Sequence, residues 1–193
     1  MKKLCALVLV LSLLSALPTL ASAGAVGQYY VRNPDGAAVY ASPSKKAKST
    51  GRLFCGSFVS EFDLNSSAPK GWVEVGVEWT TKPCYVKLDD LIEAYSEEGT
   101  AAHENAVKTY AVVVTEDAPV YAEASAKSKR IALHRAGTLG VLTAEVNGFY
   151  VMKNSTDSYG LGFCISKEDV RLLDSAPATV EQVRLFTSSL DTY

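Results

Sequence analysis

Residues 39–48 read Val-Tyr-Ala-Ser-Pro-Ser-Lys-Lys-Ala-Lys, and residues 120–129 read Val-Tyr-Ala-Glu-Ala-Ser-Ala-Lys-Ser-Lys. The offset is 81 positions, and the same offset carries Tyr29–Ser57 onto Tyr110–Thr138 without a gap. The identities in that window include Tyr29, Val31, Val39, Tyr40, Ala41, Ser44, Lys46, Lys48 and Gly56. Chance agreement at average residue usage is about 6% per position. The chain therefore contains an internal repeat, and its fold is that of one unit used twice.

Beyond Ser57 the offset drifts. Gly71-Trp72-Val73 faces Gly148-Phe149-Tyr150 at 77, Cys84 and Lys87 face Cys164 and Lys167 at 80, and Asp90-Leu91 faces Asp169-Val170 at 79. The shifts fall within 60–70 and 76–82, which marks those segments as loops, where insertions are absorbed. The repeats then span 29–94 and 109–174. Between them, 95–108 is a polar connection in which Ala101–Val107 can form a helical turn and His103 is solvated.

Each unit reads as short strands punctuated by turns. Gln28–Arg32 and Thr109–Thr115 are rich in Tyr and Val, which suit a half-buried pleated surface. Asn33-Pro34-Asp35-Gly36 is a strong turn signal. Ile131 and Leu133 alternate with Ala132 and His134, which places the two aliphatic residues inside and His134 outside. Gly51 marks a bulge in the corresponding strand. The expected class is all-β, with two small barrels in tandem and a short C-terminal helix or tail at 175–193. In that tail, Thr179 and Gln182 form a capping box, and Val180, Val183 and Leu185 or Phe186 form one apolar side.

The N-terminus reads as an export signal over residues 1–23. Lys2 and Lys3 precede an apolar run from Leu4 to Leu17, and Ala21-Ser22-Ala23 offers a cleavage site. The run is too short for a stable membrane span, which needs about 20 apolar residues, and Cys5 is not placed for lipidation. Removing this segment takes Lys2 and Lys3 with it. What is left is 17 basic residues against 21 acidic ones, a formal charge of −4. A nucleic-acid partner is not expected from that balance. The expected location is secreted, periplasmic or envelope-associated.

Three cysteines follow the signal: Cys55, Cys84 and Cys164. In an oxidising compartment two of them are expected to pair. Cys55–Cys84 is the preferred disulfide because both lie in the first unit, with Cys84–Cys164 as its rival. Cysteine–histidine catalysis requires a thiolate beside an imidazole. Only His103 and His134 are available, one in the connection and one on a strand. No zinc spacing is present, so no cofactor is expected. No carboxylate spacing argues for glycosidase chemistry. Glu74, Glu78, Asp89 and Asp90 read as solvated, as do the lysines of 45–48 and 127–129 with Arg130.

The order Val-Tyr-Ala, polar Ser/Lys segment, strand ending in Gly-Ser or Gly-Thr, Gly-Trp or Gly-Phe, and a late aromatic strand resembles the bacterial SH3 domain, here in tandem. The resemblance covers both units. The polar run departs from the family pattern, keeping only Pro43, which Ala124 replaces in the second unit. The late Gly-Trp-Val signature is replaced by Lys82-Pro83-Cys84 and Gly162-Phe163-Cys164. The resemblance implies a small bent barrel and a non-catalytic module that binds cell-wall peptide or glycan. A protein–protein adaptor or an inhibitor of an exported enzyme is the second expectation, and an enzyme with Cys164 or Cys84 as nucleophile the third. The expected partners are peptidoglycan or another exported protein.

Tyr40, Trp72, Trp79, Tyr85, Tyr121, Tyr150 and Tyr159 are the candidate ligand contacts, because flat amphipathic rings suit peptides and glycans. Trp79 and Tyr159 lie in the variable loop and are expected to be exposed.

Overall fold

The structure is a computed structural model that describes residues 27–63, 66–153 and 162–173. The export signal, Tyr159 and the capping box of the tail lie outside the described residues. The first unit contains β1 (Gln28–Val31), β2 (Ala37–Tyr40), β3 (Ser49–Leu53), β4 (Phe58–Glu61), β5 (Trp72–Val77), β6 (Thr80–Lys87) and β7 (Leu91–Glu93). Helix α1 (Glu97–Asn105) follows. The second unit contains β8 (Thr109–Val113), β9 (Ala118–Tyr121), β10 (Arg130–His134), β11 (Leu139–Val146), β12 (Phe149–Lys153), β13 (Gly162–Ser166) and β14 (Val170–Leu173).

The repeat is a repeat of topology. Pairing in the first unit runs β7-β1-β4-β5-β6-β2-β3, and in the second β14-β8-β11-β12-β13-β9-β10. The order is the same with every label raised by seven. Local geometry repeats with it. Gly56 and Gly137 both take positive φ after the third strand, where a Cβ is disfavoured. Their amides donate to Val31 O and Val113 O, each at 2.8 Å. The opening stretch owes its recurrence to a shared turn: Lys46 N donates to Ser44 Oγ, and Lys127 N to Ser125 Oγ, both at 3.2 Å. A serine hydroxyl that closes a turn on the amide two residues on is a local device, so it survives where the surrounding side chains differ.

The all-β expectation holds, with one helix among the described residues. Closed barrels do not form. β3, paired with β2 on one edge, pairs on its other edge with β11 of the second unit, so all fourteen described strands belong to one continuous antiparallel sheet. The connection is also more structured than the sequence suggests. Ser96 caps α1 by accepting from Gly99 N at 2.9 Å, and Glu97 and Glu98 complement the helix N-terminus. His103 is half-buried, stacked on Tyr30 with centroids 4.2 Å apart, and its Nδ1 lies 3.2 Å from Gly56 O.

The period of β10 is as expected but its facing is reversed. A bulge between Arg130 and Ala132 sets Ala132 opposite Val120 and His134 opposite Ala118. Val120 and Ala118 point into the second core. His134 is thus 1% exposed, and Ile131 and Leu133 face solvent. β3 bulges at the matching place, between Ser49 and Gly51, so the expectation at Gly51 holds.

His134 stacks on Phe163 at 4.7 Å, and among the described residues neither ring nitrogen has a hydrogen-bond partner. Its counterpart in the first core is Leu53. Burial lowers the His134 pKa from the ordinary 6.5. The unfolded chain therefore takes up a proton that the folded chain resists. The neutral ring's contribution to stability is present above about pH 6.5 and is lost as pH falls below it. His134→Leu is expected to raise unfolding free energy by about 1–3 kcal/mol, since a buried polar group without a partner disappears. It should also flatten the fall in melting temperature between neutral and mildly acidic pH, which thermal denaturation at several pH values will read.

Candidate functional site

The joint between the units is built around a second bulge. β11 pairs with β12 through Leu142↔Met152 and then Ala144↔Val151, so Thr143 is the extra residue. A bulge inverts the facing of everything after it. Leu142 points into the second core with Met152, whereas Ala144 and Val146 join Val151 and Cys164 on the opposite face. The first half of β11 pairs with β8, and the second half is taken over by β3, with Leu53 opposite Ala144 and Arg52 opposite Glu145. At the crossover the Thr143 carbonyl accepts from Phe54 N at 2.9 Å and from the Ser57 hydroxyl at 2.7 Å.

The β5–β6 hairpin completes the joint. Its two turn residues, Glu78 and Trp79, reach onto the second unit. Trp79 is 6% exposed and belongs to the same apolar cluster as Val146, Val151 and Cys164. This overturns the expectation of an exposed Trp79. The ring lies over Gly51, where an added Cβ would stand 3.1 Å from Trp79 Cζ2 and 3.0 Å from Glu145 O. Glu78 is not a solvated carboxylate either. It packs beside Gly162 and Val151 and pairs with the buried Lys153 at 3.4 Å. The Trp79 indole N–H has no hydrogen-bond partner among the described residues, an unfavourable term offset by the apolar area the ring buries.

Beside the joint lies an open crevice of about 250 Å³, lined by Ser49, Arg52, Glu145, Asn147 and Lys167 among others. Glu145 sits between two cations, 3.6 Å from Arg52 Nε and 3.0 Å from Lys167 Nζ. Lys167 also lies over the Tyr150 ring at 4.9 Å. Tyr150 thus faces the second core and this crevice, apart from the other aromatic candidates.

Tyr40, Trp72 and Tyr85 do come together, on the outer face of the first unit. Tyr40 pairs across the sheet with Tyr85, and Tyr85 with Glu74. The Tyr40 and Trp72 rings meet edge to face at 5.4 Å. All four side chains are half-buried, so each shows part of its surface to solvent. The second unit repeats the geometry: Tyr121 pairs with Cys164, Cys164 with Val151, and Tyr121 meets Phe149 edge to face at 5.9 Å. There the middle of the face is covered. Val151 and Cys164 are fully buried, and Tyr121 and Phe149, half-buried, pack against the cluster that holds Trp79.

This register also corrects the repeat alignment at the cysteines. Trp72 pairs with Lys87 and Phe149 with Ser166, so the offset on β6 and β13 is 79. Cys164 is the counterpart of Tyr85, and Cys84 that of Phe163. The disulfide expectation fails as well, since Cys55, Cys84 and Cys164 are all free thiols. The Cys84 thiol lies against Thr50. Cys55 is five residues further along, roughly 16 Å of extended chain, and a disulfide needs Cα atoms within about 7 Å. Burial raises the pKa of all three thiols and pushes Cys164, which faces Glu78 and Glu123, up to about 12. None is poised as a thiolate at neutral pH.

No family model matches this chain, and no curated protein does. Among solved structures it is similar to NlpC2 from Trichomonas vaginalis, with 18% identity and a TM-score of 0.33 over 81% of this chain and 52% of that one. NlpC1 from the same organism gives 17% and 0.33, covering 78% of this chain and 47% of the other. The chain spans about half the length of these structures. A likeness at this level assigns no activity to the chain.

Trp79→Ala is expected to destabilise the protein by about 3–5 kcal/mol, as loss of a buried tryptophan does. It should also uncover Cys164. A thiol reagent at neutral pH, followed by peptide mapping, is expected to leave Cys164 unmodified in the native protein and to label it in the variant.

Proposed function

We propose that the chain is an exported, non-catalytic binding protein of two bacterial-SH3-like units that recognises cell-wall peptide or glycan through one aromatic face. The observation that carries this reading is the contrast between the two copies of that face. Tyr40, Trp72 and Tyr85 of the first unit are partly open to solvent, with Glu74 beside them. Tyr121, Phe149 and Cys164 of the second lie against the joint. Flat rings beside a carboxylate suit ligands with both apolar ring or chain surface and hydrogen-bond donors, which peptide stems and sugars provide. The second unit then acts as a platform for the first. The raised thiol pKa values support a role without a cysteine nucleophile.

The second reading, an adaptor or inhibitor that takes a protein partner, has one observation in its favour. The covered face of the second unit already accepts a protein element, the hairpin tip that carries Trp79. The open face of the first unit offers the same arrangement of rings to a loop from another protein.

Retention on purified peptidoglycan at low salt tests the leading reading. Trp72→Ala and Tyr85→Ala are each expected to weaken retention by about ten- to thirty-fold, the effect of one aromatic hot spot. Tyr121→Ala is expected to leave retention unchanged. Absence of retention by the native protein, with a single protein captured by cross-linking, would replace this reading with the second.

A further inference from the structure

We propose that the crevice beside the joint is a second binding site, one that takes the terminal carboxylate of a short peptide against Arg52 and Lys167. The inference goes beyond the reading of the aromatic face. It concerns other residues and does not depend on what Tyr40, Trp72 and Tyr85 bind.

The crevice draws its walls from both units. Strand β3 supplies Gly51 and Arg52, β11 supplies Glu145, and Asn147 and Lys167 come from the second unit beyond it. Its charges do not balance. Arg52 Nε at 3.6 Å and Lys167 Nζ at 3.0 Å share the single carboxylate of Glu145. Two cations thus face one anion, and one positive charge is left over. Both cations stay open to solvent, with side chains 47% and 38% exposed. An arginine has five N–H donors and a lysine three. Among the described residues, the polar contacts of this pair go to Glu145 and, from Arg52 Nη1, to the Asp35 carbonyl at 3.2 Å. Donors therefore remain for an entering anion.

Rings hold the cations in place. Arg52 lies over Phe54 at 5.6 Å and Lys167 over Tyr150 at 4.9 Å, and the two rings are neighbours with centroids 6.4 Å apart. An anion meets charges that are already positioned, which lowers the ordering cost of binding. The arrangement is not inherited from the repeat. By the 81-residue offset Arg52 corresponds to Leu133. Lys167 corresponds to Leu88, since their amides donate to Gly148 O and Gly71 O, each at 3.0 Å. Both counterparts are leucines. Each cation is a departure from its copy, and the two departures meet at one carboxylate.

The chemistry of the ligand follows from charge and size. A carboxylate brings the one negative charge that neutralises the surplus, and its plane matches the arginine fork. A phosphate monoester carries nearly two negative charges at neutral pH and overshoots. The crevice holds about 250 Å³, less than the roughly 300–1,000 Å³ of pockets that enclose a drug-sized molecule. It suits the end of a chain. Asn147, exposed at the β11–β12 turn, adds a side-chain amide for the peptide group next to the carboxylate.

Nuclear magnetic resonance titration with N-acetyl-alanyl-alanine, and separately with its C-terminal amide, tests this. The chain has two tryptophans, and their indole N–H signals report on different places. The Trp79 ring touches Gly51 of the crevice wall through Cζ2, which is bonded to the same ring carbon as the indole nitrogen. Trp72 reports on the aromatic face. The free acid is expected to move the Trp79 signal with millimolar affinity and to leave Trp72 in place. The amide is expected to bind about ten-fold more weakly, and Arg52→Gln and Lys167→Gln each to weaken the acid about ten-fold, the effect of losing a charged hydrogen bond. Glu145→Gln is expected to tighten binding about three-fold, because a competing exposed carboxylate is gone. A merely structural role for the cluster gives no such gain. The proposal is overturned by an unmoved Trp79 signal, by equal affinity for acid and amide, or by weaker binding in Glu145→Gln. A shift confined to Trp72 also overturns it, since the peptide then lies on the aromatic face. Peptidoglycan retention of Trp72→Ala reports on the functional reading separately.

Discussion

The carbonyl of Thr143 is the point on which the two repeats become one sheet. It accepts both the Phe54 amide and the Ser57 hydroxyl, and it is turned toward them because Thr143 is the extra residue of a bulge. A strand in regular register would send Ala144 and Val146 into the second core. The bulge sends them to the other face, where Val151 and Cys164 already stand. One inserted residue thus creates an apolar surface outside the second unit's core. Leaving that surface in water would cost about 25 cal/mol for each Å². Strand β3 and the Trp79 hairpin cover it.

Covering it has two structural consequences. The first is the need for space. Gly51 is constrained from both sides, by the Trp79 ring and by the Glu145 carbonyl, so the residue that reads as a bulge marker is also a packing requirement. The second is asymmetry. The units share a strand order, yet the middle of the aromatic face is half-buried in the first unit, at Tyr85 and Glu74, and fully buried in the second, at Cys164 and Val151. In the first unit the corresponding part of the chain beyond β4 diverges after Glu61, and Phe62 donates its amide to Glu74 O at 3.0 Å. Among the described residues no copy of the first unit's hairpin lies on Tyr40, Trp72 and Tyr85, and the functional reading rests on that difference between the two surfaces.

Buried polar groups show where the second unit has been adapted as a platform. Lys153, at the place of Gly76 in the first unit, is buried and meets Glu78 from across the joint. A buried charge of this kind is tolerated because its partner arrives with the same hairpin that excludes water. Cys164 follows the same logic. On an open face its position carries Tyr85, and under the hairpin there is room for a small side chain only. Free cysteine packs there as a small hydrophobe.

The sequence by itself determined the repeat, the all-β class, most strand positions and the turns at Gly36, Gly56 and Gly137. These depend on local chemistry: alternating apolar residues, positive φ at glycine, and serine hydroxyls that close turns on nearby amides. It also pointed to Tyr40, Trp72 and Tyr85, since ring-bearing positions on strands are visible without knowing what faces them. The shift of offset in 76–82 was the one signal that the hairpin differed between units, but a shift does not tell an exposed loop from a docked one. Only the tertiary structure decided that Trp79 is buried, that His134 points inward, that Cys55 and Cys84 stay apart, and that Cys164 stands in for Tyr85. Each of these turns on a bulge or a register, and a single residue of slip exchanges the two faces of a strand. The hydrogen bonds that set such a slip join residues as far apart as Phe54 and Thr143, so no local pattern records it.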